Sequence, residues 1–222
     1  SSGLSKNSIV SFFGRAMYNF DDRYLLTASI RADGSSKFAK GNKWGFFPSL
    51  AFAWRITSEP WFNVHGISNA KLRLGWGQVG NQNIGDYLTG TIYTTQFNSS
   101  HYDTGKILGI YGNNIANAGL KWETTTQENV GLDLGMFRGR FTLTVDAYNK
   151  DTFDLLQSKS LPYTAGFSKM YVNDGSIRNS GLEFTLDTTP LKIGNFEWSL
   201  GGNIAFNRNK ILDVGTSGES AL

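Results

Sequence analysis

Few residues of this chain have the type and spacing for chemistry. Gly75, Gly77 and Gly80 fit the spacing G-x-G-x-x-G. In a nucleotide site such glycines lead into a helix whose first N–H groups meet a pyrophosphate. Here Asn81-Gln82-Asn83-Ile84-Gly85 follows, which opens no helix, so the three read as strand glycines. His65 and His101 are the only histidines and lie far apart without a third ligand, so a zinc site is not expected. Cysteine is absent and no G-x-S-x-G elbow occurs, which leaves nucleophilic catalysis without machinery. Asp21-Asp22, Asp33-Gly34-Ser35 and Asn173-Asp174-Gly175 could hold a cation, but Asp, Asn and Gly at such points make turns. No catalytic residue, metal or cofactor is expected, and the chain reads as a non-enzyme.

The elements that position the remaining polar groups are strands. In Leu120–Leu156, Val130, Leu132, Leu134 and Met136 share one parity, opposite Asn129, Gly131 and Asp133. After Phe137-Arg138-Gly139-Arg140, Phe141, Leu143, Val145 and Ala147 alternate with Thr142, Thr144, Asp146 and Tyr148. A period of two puts successive side chains on opposite faces, and two such runs around a short turn form an antiparallel hairpin. The same alternation marks strands after Ser8, after Asp22, from Trp44, from about Ala70, after Ser176 and from Phe196, about eight in all. A short helical turn with Ser58 as its cap is expected near Pro60, and a turn over Pro190–Asn195. Residues 81–119 and 157–177 alternate weakly and read as long polar excursions, with short strand pieces such as Leu88–Thr94.

Composition narrows the class. The chain has 222 residues, 26 Gly, 4 Pro and 14 % aromatics. A net charge of +3 without a Lys/Arg run gives no reason to expect nucleic acid. No apolar run approaches the ~20 residues of a membrane helix, but barrel strands alternate and escape that test. Short turns alternate with long connections, as in outer-membrane barrels, and aromatics such as Tyr18, Phe20, Tyr24, Trp54, Phe141, Trp198 and Phe206 sit near strand ends as interface girdles would. A soluble β-sandwich with one wet face per sheet fits the alternation too. The two differ in where Leu132, Leu134, Leu143 and Val145 go: between two sheets, or outward to lipid.

Longer stretches carry a resemblance. YNFDDRYLLTASIRADGSSKF, FFPSLAFAWRITSEPWF, LRLGWGQVGNQNIGDY, LKWETTTQENVGLDLGMFRGRFTLTVDAYNKDTFDLL and RNSGLEFTLDTTP resemble, in this order, the barrel of the SusC/RagA family of TonB-dependent outer-membrane transporters. The resemblance implies an incomplete antiparallel transmembrane barrel, about eight strands out of about 22, with long extracellular loops. It implies a mid-barrel piece spanning residues 1–222, with the plug and C-terminal strands outside it. It further implies import of an oligosaccharide or peptide across the bacterial outer membrane, with TonB as energy source and a SusD-like lipoprotein over the mouth. The rival function is a soluble carbohydrate-binding sandwich module.

On the barrel reading, Arg15, Arg31, Asp33, Arg55, Asp133, Asp146, Glu183 and Asp187 share the polar parity and line the lumen. They either touch plug or cargo, or pair with one another across a hydrated wall, where Asp133→Asn should be mild. The loop aromatics Tyr87, Tyr93, Phe97, Tyr102, Tyr111, Tyr163, Phe167 and Tyr171 either meet the lipoprotein or cargo, or anchor the loops on themselves. The isolated piece, with open strand edges and an apolar face evolved for outer-membrane lipid, is expected to self-associate.

Overall fold

The structure is a computed structural model that describes residues 5–98 and 107–215. Eight strands form one antiparallel sheet: β1 (Ile9–Phe20), β2 (Tyr24–Ser35), β3 (Trp44–Arg55), β4 (Ile67–Asn81), β7 (Glu123–Met136), β8 (Phe141–Phe153), β11 (Ser176–Ile193) and β12 (Phe196–Asp213). Their order in the sheet follows the chain, and the sheet does not close. Short connections join them at one end. Asp21 and Asp22 turn the chain with φ of 53° and 51°, the doubly positive pair that matches hairpin twist. Phe137 and Arg138 do the same at 53° and 60°.

The long excursions are not structureless. β5 (Ile92–Asn98), β6 (Ile107–Ile115), β9 (Leu156–Ser160) and β10 (Phe167–Asn173) make a second sheet, ordered β5-β6-β10-β9. β6 and β10 pair in parallel, Phe167 beside Gly112 and Met170 beside Ile115, and so tie one excursion to the other. The expected strand piece Leu88–Thr94 overlaps β5, which begins at Ile92, whereas β6, β9 and β10 are short and alternate too weakly to be located from periodicity.

Three local expectations change. The helical turn is a single 3-10 turn, Ile56–Ser58, so Ser58 lies inside it and no side chain caps it. Pro190 does not end its strand; the β11–β12 register shifts between Thr188 and Leu191, which accommodates a residue that cannot donate to the ladder. Asp33-Gly34-Ser35 is the end of β2, paired to both neighbours, rather than a turn.

Register shows how the faces are built. Tyr18, Leu26, Phe52, Leu74, Val130, Ala147, Leu182 and Phe206 adjoin in one row across all eight strands. The next row is Phe20, Tyr24, Trp54, Leu72, Leu132, Val145, Phe184 and Ile204. No second layer of described residues packs on this face, and Leu182, Ile204 and Phe206 stay exposed. Leu132, Leu134, Leu143 and Val145 are therefore not enclosed between sheets, and the sandwich is not favoured.

The buried core lies instead at the long-connection end. Phe38, Phe47, Ile84, Leu88, Leu120 and Trp122 pack together, with Ile92, Leu156 and Tyr171 against them. Trp122 is central: its ring lies 5.3 Å from Phe38 and 5.5 Å from Phe47, and its indole N–H donates to the Lys43 carbonyl at 3.0 Å. Trp122→Ala is expected to cost about 3–5 kcal/mol through the cavity it leaves. Limited proteolysis should then cut faster within 82–122 while the strands of the large sheet stay protected; unchanged cleavage would show that the connections stand without this core.

Candidate functional site

Opposite the apolar rows lies a polar face, and register places all eight charged candidates on it. They are not equivalent. Arg31 Nε donates to Asp33 Oδ1 at 2.8 Å. Arg15 sits 5.2 Å from the Phe13 ring centre. Asp133 and Asp146 are joined by Arg73, a residue that pattern reading passed over. Arg73 Nε and Nη2 donate to the two Asp133 oxygens at 2.9 and 3.0 Å, and Nη2 also reaches both Asp146 oxygens at 2.9 and 3.1 Å. Lys71 Nζ stands 4.0 Å from Asp133. Among the described residues Arg55, Glu183 and Asp187 form no ion pair.

The Arg73 bridge crosses three strands, from β4 over β7 to β8, because the residue between is Gly131. A Cβ there would lie 2.3 Å from Asp146 Oδ1 and 2.6 Å from Arg73 Nη2. Glycines of this face play that part repeatedly. Gly75 faces the Asn129 amide, Gly181 the Tyr148 phenol, and Gly201 the Asp187 carboxylate, each within 3 Å of where a Cβ would be. Long polar side chains thus lie flat along the wall. The G-x-G-x-x-G glycines form no phosphate loop, since all three lie within β4: Gly75 makes room for Asn129, Gly77 lies close to Ser49, and Gly80 makes room for the Phe47 ring.

The face is banded. One row reads Met17, Thr27, Ala51, Gly75, Asn129, Tyr148, Gly181 and Asn207, and carries no charge. The row two residues nearer the short turns reads Asn19, Leu25, Ala53, Arg73, Gly131, Asp146, Glu183 and Ala205. Parity could find the face but not the bands, which depend on register.

The loop aromatics divide as well. Tyr171 packs on the buried core and lies under Lys169 at 5.6 Å. The Tyr87 hydroxyl accepts the Lys6 N–H at 3.2 Å. Tyr93 and Phe167 bring their rings to 6.1 Å across the small sheet, with Tyr93 mostly exposed. Phe97 and Tyr111 belong to β5 and β6, and Tyr163 to a 3-10 turn. Tyr102 lies outside the described residues.

At the short-turn end the apolar face carries an aromatic belt: Tyr24 stacks at 6.4 Å on Phe20, Phe52 and Trp54. Glu59, which follows the 3-10 turn, ties its edge down. It accepts the Tyr24 hydroxyl at 2.6 Å and the Trp54 indole N–H at 2.9 Å, with Arg23 at 3.6 Å. These donors hold the Glu59 carboxyl below its ordinary pKa, the Tyr24 hydroxyl contributing most.

An open antiparallel sheet, apolar over the short-turn half of one face, polar on the other, girdled at a short-turn end and capped by structured connections at the other, is a stretch of β-barrel wall. The profile of the TonB-dependent receptor-like β-barrel matches residues 1–220, and the chain belongs to that family, whose members lie in the outer membrane. It is 40 % identical over 227 residues to the TonB-dependent receptor SusC of Bacteroides thetaiotaomicron, across 98 % of this chain and 22 % of SusC. TonB-dependent receptor P26 of Formosa agariphila is also 40 % identical, across 96 % of this chain and 22 % of that protein. Among solved structures, the RagAB peptide transporter superposes with a TM-score of 0.84 at 29 % identity, over 96 % of this chain and 23 % of the other. The chain thus spans about a fifth of the length of these relatives.

Two outcomes follow. Arg73→Ala leaves Asp133 and Asp146 facing each other with Lys71 alone, and should destabilise the sheet by about 1–2 kcal/mol, against about 0–1 for the unpaired Arg55→Ala. Asp133→Asn, expected to be mild on a merely hydrated wall, now removes half of a bidentate contact and should fall between them. Denaturation in detergent micelles ranks the three, and equal losses for Arg73 and Arg55 would show that the bridge adds nothing. For Glu59 the folded carboxyl is the stronger acid, so its contribution is present above the ordinary pKa and is lost as pH falls through the depressed folded value. Wild type should therefore lose melting temperature relative to Glu59→Gln as pH drops below about 4. Parallel pH curves would contradict that.

Proposed function

We propose that this chain is part of the barrel wall of a longer TonB-dependent importer, which carries an oligosaccharide or peptide across the outer membrane. The plug and the C-terminal strands lie outside this stretch, TonB supplies the energy, and a SusD-like lipoprotein meets the long-connection end. The observation that carries the reading is the band of apolar rows that crosses all eight strands with no layer over it, joined to the family match. In water such a face exposes far more apolar surface than a soluble domain tolerates, so in isolation it pairs with a second copy or with detergent. On this reading Leu132, Leu134, Leu143, Val145, Phe184 and Leu200 meet lipid. The polar candidates line the lumen, and 81–119 and 157–177 face the exterior, where exposed Tyr93 beside Phe167 suits partner contact. Their likeness to SusC and RagAB supports transport of large solutes by the parent protein.

The test uses the full-length receptor in cells. Uptake of labelled oligosaccharide or peptide should need TonB and stop with a protonophore; uptake indifferent to both, or none of either solute, overturns the importer. Leu134→Arg should block outer-membrane assembly, since an arginine at the midplane of the lipid face costs about 2–4 kcal/mol. A variant that assembles at wild-type levels would turn that face away from lipid.

A further inference from the structure

We infer that the outward face of β11 and β12, just beyond the apolar rows, is a binding site for the phosphate headgroup of an outer-leaflet lipid. This rests on the importer reading, which turns that face to lipid and the long connections outward. Two residues beyond the row that runs from Tyr18 to Phe206, the same parity reads Leu50 and Trp76, then Glu128, Asn149, Ser180 and Arg208. The next row reads Gln78, Thr126, Asp151, Arg178 and Lys210. On β1 and β3 the apolar run continues past both rows to Phe12 and Phe46, which are exposed. The polar edge therefore crosses the strands obliquely, as a membrane surface does when strands tilt by about 35–45°. Arg178, Arg208 and Lys210 then lie at the headgroup level, and Leu182, Ile204 and Phe206, exposed beneath them, lie in the acyl layer.

The charges at this edge do not cancel. Arg178 is held by Asp151: its Nε and Nη2 each donate to a carboxylate oxygen at 2.7 Å. Lys210 stands in register with Arg178, and Arg208 with Ser180. Both cations are exposed, and among the described residues neither forms an ion pair. Asp151 is two strands from Lys210 and Glu128 three strands from Arg208, about 10 and 14 Å at the spacing of a sheet. Asp213, farther along β12, accepts the Gly215 N–H instead. Cations set opposite each other on a sheet repel, so an anion shared among Lys210, Arg208 and Arg178 is the partner this face lacks. Arg208 and Lys210 lie two residues apart on one face, about 7 Å, close enough to clasp one phosphate. The arginine offers its fork and the lysine a point charge. An inorganic phosphate would leave the apolar rows beneath uncovered. A lipid covers them with its chains while its phosphate meets the cations, and that continuity selects a lipid.

Native mass spectrometry of the purified full-length receptor in nonionic detergent provides the test. The probes are monophosphoryl lipid A, the same lipid with its phosphate removed, and inorganic phosphate. The phosphorylated lipid should be held about thirtyfold more tightly than the dephosphorylated one. Arg208→Gln combined with Lys210→Gln should abolish that preference, as expected when two surface cations are lost to an anionic headgroup. Lys150→Gln removes a cation at the same height, between Asn149 and Asp151 on β8 and so on the opposite face, and should change nothing. Wild type that holds both lipids alike, a double variant that keeps the preference, or an equal loss with Lys150→Gln overturns the site. Inorganic phosphate that binds as tightly as the lipid overturns the lipid as its occupant. If the double variant does not assemble, the single variants decide, each expected to lose about fivefold; singles that match wild type overturn the site as well. No energisation enters this measurement. Its failure leaves TonB-dependent uptake standing, and uptake can fail with lipid binding intact.

Discussion

A strand that crosses hydrocarbon must hand every N–H and C=O to a neighbour, because no water is present to accept them. This constraint organises the rest of the molecule. It fixes eight strands side by side in chain order, since hairpins satisfy the requirement with the least loop. It leaves the two faces to differ in one residue out of two, which is why rows such as Tyr18 to Phe206 can be apolar from one edge to the other. It also explains why Pro190 sits where the β11–β12 register slips, outside the regular ladder.

With the backbone committed, side chains of the polar face must fit a wall that bends around a lumen. Glycine answers that demand. Opposite Asn129, between Arg73 and Asp146, and beneath Tyr148, a missing Cβ lets the neighbour lie down along the sheet instead of standing up from it. The result is a smooth wall in which charges reach partners two strands away. The 26 glycines are therefore more than turn formers. Several of them set how far the polar side chains intrude on the space in front of the sheet.

The large sheet was legible because its signal is local. Each strand declares its own period, and each short turn its own residues, as at Asp21-Asp22 and Phe137-Arg138. The face of Asp133, Asp146 and Glu183 followed from parity alone. What was not legible depended on register or on distant segments. Arg73 looks like any strand cation until β7 is placed beside β4 with Gly131 between them. Glu59 resembles a turn residue until Tyr24 and Trp54 come to it. The β6–β10 pairing joins segments that neither period nor turn chemistry connects, and their Thr- and Asn-rich strands alternate too weakly to be seen.

That parallel pairing sets an order of events. A hairpin can zip as soon as its turn has formed, whereas β10 meets β6 only by closing a long loop that contains β7, β8 and β9. Loop-closure entropy has to be met before the contact repays it. The small sheet is thus a late-forming seal. Because β6 and β10 pair, lengthening or shortening either excursion changes the fit of the other.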